Sequence, residues 1–166
     1  MPSVVELVRG LGYPDVWTHI NSGNVVFAAS ETRSAVEHRL ETEFERHLGF
    51  EVTTFVRTAA ELRRTVALEP FTLAPGDTYF VTFLKDVPSK PQADALEALS
   101  NDFDSLVVTG RDVHWRMRGK STATKLTTKA WDHIVGQHRS TSRNTSMLRI
   151  LADKIEARTD DLRRSR

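Results

Sequence analysis

The chain contains no cysteine, which excludes disulfides, a thiol nucleophile and thiolate metal ligands, and leaves the redox compartment open. It also lacks any apolar run approaching the ~20 residues of a bilayer-spanning helix, so no membrane partner is expected. Its first residues, Met1-Pro2-Ser3-Val4-Val5-Glu6, have neither the basic segment nor the apolar core of a secretory signal, and the expectation is a cytoplasmic protein. No low-complexity tract or identical repeat is present. The six His (His19, His38, His47, His114, His133, His138) form no metal-like grouping. His133 and His138, five apart, diverge by about 140° around a helix. No metal and no cofactor are expected.

Catalytic signatures are equally sparse. There is no Gly-x-Ser-x-Gly elbow, and Ser121 to Lys125 has the wrong interval for a Ser-x-x-Lys pair. Gly119-Lys120-Ser121 has no Gly at the earlier position that a nucleotide-triphosphate loop requires. Whether the protein is an enzyme stays undecided, leaning towards not.

What is there is an ordinary globular composition, 39% hydrophobic and 27% charged over 166 residues, enough for one domain or two small ones. The net charge of +1 conceals a division. Residues 1–110 hold 9 Lys/Arg against 16 Asp/Glu, a net of −7, whereas residues 111–166 hold 14 against 6, a net of +8. Such a dipole either holds two halves of a protein together or aims a basic face at an anionic partner. Four of the positive charges, Arg158, Arg163, Arg164 and Arg166, sit where a frayed tail is expected.

Periodicity and capping signals give the elements. Val4, Leu7, Val8 and Leu11 predict a helix closed by Gly10 and Gly12. Val16–Ile20 and Asn24–Ala28 flank Asn21-Ser22-Gly23-Asn24 as a tight hairpin. Val36, Leu40, Phe44 and Leu48 mark a helix over Thr32–Leu48, with Glu37, Glu41 and Glu45 on its solvated face. Val52–Val56 is β-prone. Capping boxes Thr58-x-x-Glu61 and Ser89-x-x-Gln92 open two more helices around the strand Tyr79–Leu84. Leu106–Thr109 and Asp112–Arg116 form a second hairpin, Arg116–Lys125 is loop-like, and Thr128–Gln137 and Asn144–Arg158 are helical. Runs of paired strands among helices point to α+β with antiparallel pairing.

The string Thr18-His19-Ile20-Asn21-Ser22-Gly23-Asn24-Val25-Val26-Phe27 resembles the hallmark of a bacterial domain-of-unknown-function family, 1697. Supporting segments are Met1–Tyr13, His47–Leu62, Val81–Leu84, Gly110–Leu126 with its Thr124-Lys125-Leu126 ending, and Thr141-Ser142-Arg143-Asn144. The resemblance implies two tandem ferredoxin-like units with antiparallel sheets and no activity. It also implies that the first unit lacks its N-terminal strand, because family members open with a strand and a Gly-rich turn ahead of the helix that begins here at Met1. The family's Trp-Asn-Thr after Arg-Asn is replaced by Thr145-Ser146-Met147. Residues 1–72 are expected as the first unit, 73–158 as the second with its last helix, and 159–166 as a basic tail.

Two candidate sites emerge. Asn21, Ser22, Gly23 and Asn24 could offer amides and an open backbone to a ligand, although turn chemistry alone accounts for them. The stretch Arg116, Arg118, Lys120, Ser121, Thr122, Thr124 and Lys125 interleaves cations with hydroxyls in a manner suited to phosphate or carboxylate. Arg143 and Asn144, ahead of the last helix, could reach the same anion. The primary expectation is therefore a non-enzymatic domain binding a small anionic or phosphorylated ligand through Arg116, Lys120, Lys125, Arg143 and Asn144. One alternative is a nucleic-acid-associated protein using the basic C-terminal third. The other is an enzyme acting on a phosphorylated or carboxylated metabolite. Nothing in the sequence sets the oligomeric state.

Overall fold

The computed structural model describes residues 3–19 and 23–165. The chain divides into two compact units, Met1–Arg57 with Asp161–Arg166, and Thr58–Asp160.

The first unit contains α1 (Val4–Gly10), β1 (Trp17–Thr18), β2 (Val25–Val26) and α2 (Arg33–Leu48). Ser3 and Glu6 close a capping box on α1, Thr32 caps α2, and Gly49 ends α2 in the left-handed conformation at φ 77°. Trp17 pairs with Val26 and Thr18 with Val25 in an antiparallel hairpin shorter than the expected runs. Asn21 and Ser22 of its turn lie outside the described residues. Leu7, Val8, Val16, Val36, Leu40 and Phe44 form the core, and Val25, Phe27, Val52 and Val56 pack against it.

Two expectations change here. Among the described residues, 52–56 pair with no strand. They are held by α2 instead: Glu41 Oε1 accepts from the Thr54 N–H (2.7 Å) and hydroxyl (2.9 Å), and Glu37 Oε1 accepts from the Val56 N–H (3.2 Å). Carboxylates one helical turn apart, about 6 Å, match the rise of two extended residues, so this run is strand-like without a neighbour. Glu37 is accordingly buried, at 6% exposure, and is not part of a solvated face.

The second unit contains α3 (Ala59–Ala67), β3 (Thr78–Leu84), α4 (Lys90–Glu97), β4 (Asp104–Thr109), β5 (Asp112–Met117), a 3-10 turn (Ser121–Ala123), α5 (Thr128–Val135), β6 (Ser140–Asn144) and most of α6 (Thr145–Arg164). Both expected capping boxes form, Thr58 with Glu61 and Ser89 with Gln92. Gly136 at φ 92° ends α5 two residues before its expected end. The sheet order is β4-β5-β3-β6, and every pairing is antiparallel.

Both faces of this sheet are covered. Phe80, Leu84, Leu106, Val113, Trp115 and Met117 face one core, which Leu96 of α4 and Trp131 of α5 complete. Tyr79, Val81 and Phe83 face the other side and are buried. There Thr65 of α3 donates to Asp112, and Arg63 reaches Asp153 and Glu156 of α6, setting α3 and α6 side by side.

Thr141, Ser142 and Arg143, expected to precede the last helix, and Asn144, expected to open it, lie in strand β6, and α6 runs from Thr145 to Arg164. Residues 159–164 of the expected tail are thus helical. The fold is mixed α+β with antiparallel sheets of two and four strands. Among the described residues no helix is long and apolar enough to cross a membrane.

Candidate functional site

The cationic stretch after β5 is organised by an acid. Asp104, the first residue of β4, has no exposed surface. Its Oδ1 accepts from Trp115 Nε1 (2.9 Å) and the Thr124 hydroxyl (2.6 Å), and its Oδ2 from the Lys125 N–H (3.0 Å) and Asn101 Nδ2 (3.1 Å). Burial alone would raise this carboxyl, but the hydrogen bonds from Thr124, Trp115, Lys125 and Asn101 hold it below the ordinary Asp range. Leu126 then packs into the core with Trp131. The Thr124-Lys125-Leu126 string is therefore a clamp that fastens the loop to the sheet.

On the solvent side of that clamp, Arg118 donates through its backbone to Phe103 O (2.9 Å) and through its guanidinium to Asp77 (3.3 Å). Lys125 Nζ pairs with Asp102. The Gly119 carbonyl accepts from the Thr78 hydroxyl at 2.7 Å. Lys120 is exposed and makes no ion pair or side-chain hydrogen bond among the described residues.

The other candidates lie elsewhere. Arg116 pairs in register with Tyr79, so it projects from the face opposite Trp115 and Met117. Its guanidinium sits 5.3 Å from the Phe71 ring centroid and donates to the Ser105 hydroxyl (2.6 Å). Its Nε is buried without a partner among the described residues. Arg143 lies on β6, opposite Val81, and donates to the Thr141 hydroxyl (2.8 Å) and Ser142 carbonyl (2.9 Å). Burial lowers its pKa. The Asn144 amide oxygen accepts from the Ser146 N–H (2.8 Å) and so opens α6. Arg118, Lys120 and Lys125 belong to the one segment that follows β5, whereas Arg143 and Asn144 lie on β6, the sheet edge opposite β4. Of the hairpin candidates, Gly23 adopts φ 75° and the Asn24 carbonyl accepts from the His19 N–H at 3.3 Å, as turn chemistry requires.

A buried polar group was not anticipated. Tyr79 OH meets His114 Nδ1, Tyr79 OH also approaches the Leu68 carbonyl (3.3 Å), and Asp112 receives Thr65. Burial pushes the Tyr79 phenol up to about 12 and pulls the His114 imidazole down, with Asp112 opposing the latter. The signal was the alternation Asp112-His114-Arg116, which reads as a wet face but lies under α3. A cleft between Leu84, Pro88 and Val135, edged by the Asp86–Arg139 pair, holds about 110 Å³. That is below the ~300 Å³ at which metabolite pockets begin.

A family model described as "Protein of unknown function (DUF1697)" matches residues 1–114, ending within β5 ahead of the cationic loop. Among solved structures, a conserved bacterial protein from Streptococcus pneumoniae aligns with a TM-score of 0.67 and 17% identity, over 92% of this chain and 87% of that one. At that identity the likeness is one of fold alone. No curated protein matches the chain.

Proposed function

Because the chain belongs to the DUF1697 family of proteins of unknown function, membership brings no activity, and we propose from the site itself a non-catalytic protein that binds a small phosphorylated anion. Lys120 carries this reading: it is exposed, unpaired among the described residues, and presented by a loop that Asp104 holds in place. Arg118 and Lys125 flank it. The Lys125–Asp102 pair is solvent-exposed, 56% and 80% for the two side chains, and such pairs are worth roughly 0–1 kcal/mol, little enough for phosphate to displace. Ser121 and Thr122 add hydroxyl donors. The proposed site does not use Arg116, whose guanidinium is engaged by Ser105 and Phe71, nor Arg143 and Asn144, which lie on the sheet edge opposite β4.

The buried titratable groups support a non-catalytic role, since Asp104 fastens the cationic loop, Asp112 takes the Thr65 hydroxyl of α3, and Tyr79 bonds His114 of the neighbouring strand and the Leu68 carbonyl. Base stacking on the sheet, the usual mode of RNA recognition on such surfaces, is disfavoured because Tyr79 and Phe83 are covered. The β-α-β-β-α-β order of the second unit supports a ferredoxin-like assignment, and the α1-β1-β2-α2 order supports a related first unit.

Thermal unfolding with inorganic phosphate and pyrophosphate, matched against sodium chloride at equal ionic strength, tests the site. Pyrophosphate raises Tm in the natural protein and has no effect on the Arg118→Ala/Lys120→Ala variant. No anion-specific shift, or the same shift in both proteins, overturns the proposal.

A further inference from the structure

The four-stranded sheet has one blocked edge and one open edge. At β4 the outward N–H groups of Asp104, Leu106 and Val108 are taken by the side chains of Asn101, Ser100 and Glu97. At the other edge the Lys85 N–H donates to the Arg139 carbonyl, so Arg139 faces β3. Direction alternates along an antiparallel strand. Thr141 and Arg143, opposite Phe83 and Val81, therefore turn their main-chain groups to β3, and Ser140, Ser142 and Asn144 turn theirs outward. The N–H groups of these outward residues have no partner among the described residues, and Ser142 and Asn144 are exposed.

Nothing within β6 repels a neighbouring strand. Ser-Thr-Ser-Arg-Asn holds no Pro and no Gly, and its residues match β3 one to one, without a bulge. Its one cation is turned back on itself. Arg143 donates to its own Thr141 hydroxyl (2.8 Å) and to the Ser142 carbonyl (2.9 Å), which keeps a second lone pair.

We infer that β6 is a dimerisation edge, pairing antiparallel with β6 of a second copy of this chain about a two-fold axis at Ser142. In that register Ser142 meets Ser142 of the partner subunit, and Ser140 meets Asn144 of the partner subunit. Every outward N–H gains a carbonyl, and every outward carbonyl gains a donor. Arg143 stands opposite Thr141 of the partner subunit, so no two cations are directly opposed. The strand is thus complementary to itself, whereas an apolar peptide finds only Ser, Thr, Arg and Asn to lie beside. The joined sheet ends on both sides at β4, whose outward donors are already met, so assembly stops at two copies. The dimer uses none of Arg118, Lys120 or Lys125 and is independent of the anion site.

Sedimentation of the full chain from about 1 μM to about 1 mM tests this. The mass rises from that of one chain towards that of two and no further, and amide exchange at Ser142 and Asn144 slows about tenfold over the range. Ser142→Pro removes an outward donor that β3 does not use, and this variant keeps its far-UV spectrum and stays monomeric. Ser142→Lys sets two cations against each other at the axis. It weakens the dimer about tenfold at low salt, and about 0.5 M sodium chloride restores most of the loss, which a folding defect would not show. The inference is overturned by a chain that is monomeric throughout or forms larger assemblies. It is also overturned by a dimer whose Ser142 and Asn144 amides stay unprotected, or by a folded Ser142→Pro variant that still dimerises.

Discussion

Asp104 and His114 show how single residues hold the second unit. Replacing Asp104 by Asn turns one acceptor into a donor that faces the Lys125 N–H and Asn101 Nδ2. Leaving buried donors unmet costs about 1–3 kcal/mol each, so Asp104→Asn loses roughly 3 kcal/mol in urea unfolding. His114, at 1% exposure, has its pKa lowered by burial, with Asp112 acting against the shift. The unfolded chain then takes up a proton here at higher pH than the folded one. Stability from this group is complete above about pH 6.5 and declines as pH falls below it. Urea midpoints measured between about pH 7 and 5 fall in the natural protein, and His114→Gln removes that part of the slope.

At the scale of elements, the β4 edge of the large sheet is closed by side chains. The N–H groups of β4 that point away from β5 are each met by a side chain: Asp104 by Asn101 (3.0 Å), Leu106 by Ser100 (3.0 Å) and Val108 by Glu97 (2.9 Å). The edge is thereby closed to other strands, a common defence against aggregation. Glu97→Ala/Ser100→Ala reopens two of these donors, and its apparent mass in size-exclusion chromatography rises with concentration relative to the natural protein. Capping boxes and the apolar stripe of α2 were legible because local hydrogen bonds and helical period are written in adjacent residues. β6 was not, since Ser-Thr-Ser-Arg-Asn has no apolar alternation and its strand character comes from β3. Residues 52–56, expected as a strand from their β-branched and aromatic side chains, form none, because side-chain type does not report whether a neighbour is there to pair with.

For the whole molecule, the sheet of the first unit consists of two strands of two residues, whereas the second has four strands with both faces covered. Two-stranded ribbons are marginal by themselves. Amide exchange is therefore fastest at residues 17–18 and 25–26 and slowest at 113–117, where Val113 and Met117 have no exposed surface. Comparable protection in the two units would contradict this order. The candidate site was legible only in its cationic loop. Grouping Lys120 with Arg143 required knowing the strand order, which sequence neighbourhood does not reveal, and the acid that fixes the loop was hidden in the polar run Asn101-Asp102-Phe103-Asp104.

The second unit occupies one unbroken stretch, Thr58–Asp160, while the first is completed by Asp161–Arg166 at the far end of α6. The larger unit is thus a cassette spliced into the smaller one. A single nick after Arg57 would leave the smaller unit's closing residues tethered to the cassette, so liberating either piece takes two cuts, and only the cassette comes away as one continuous fragment.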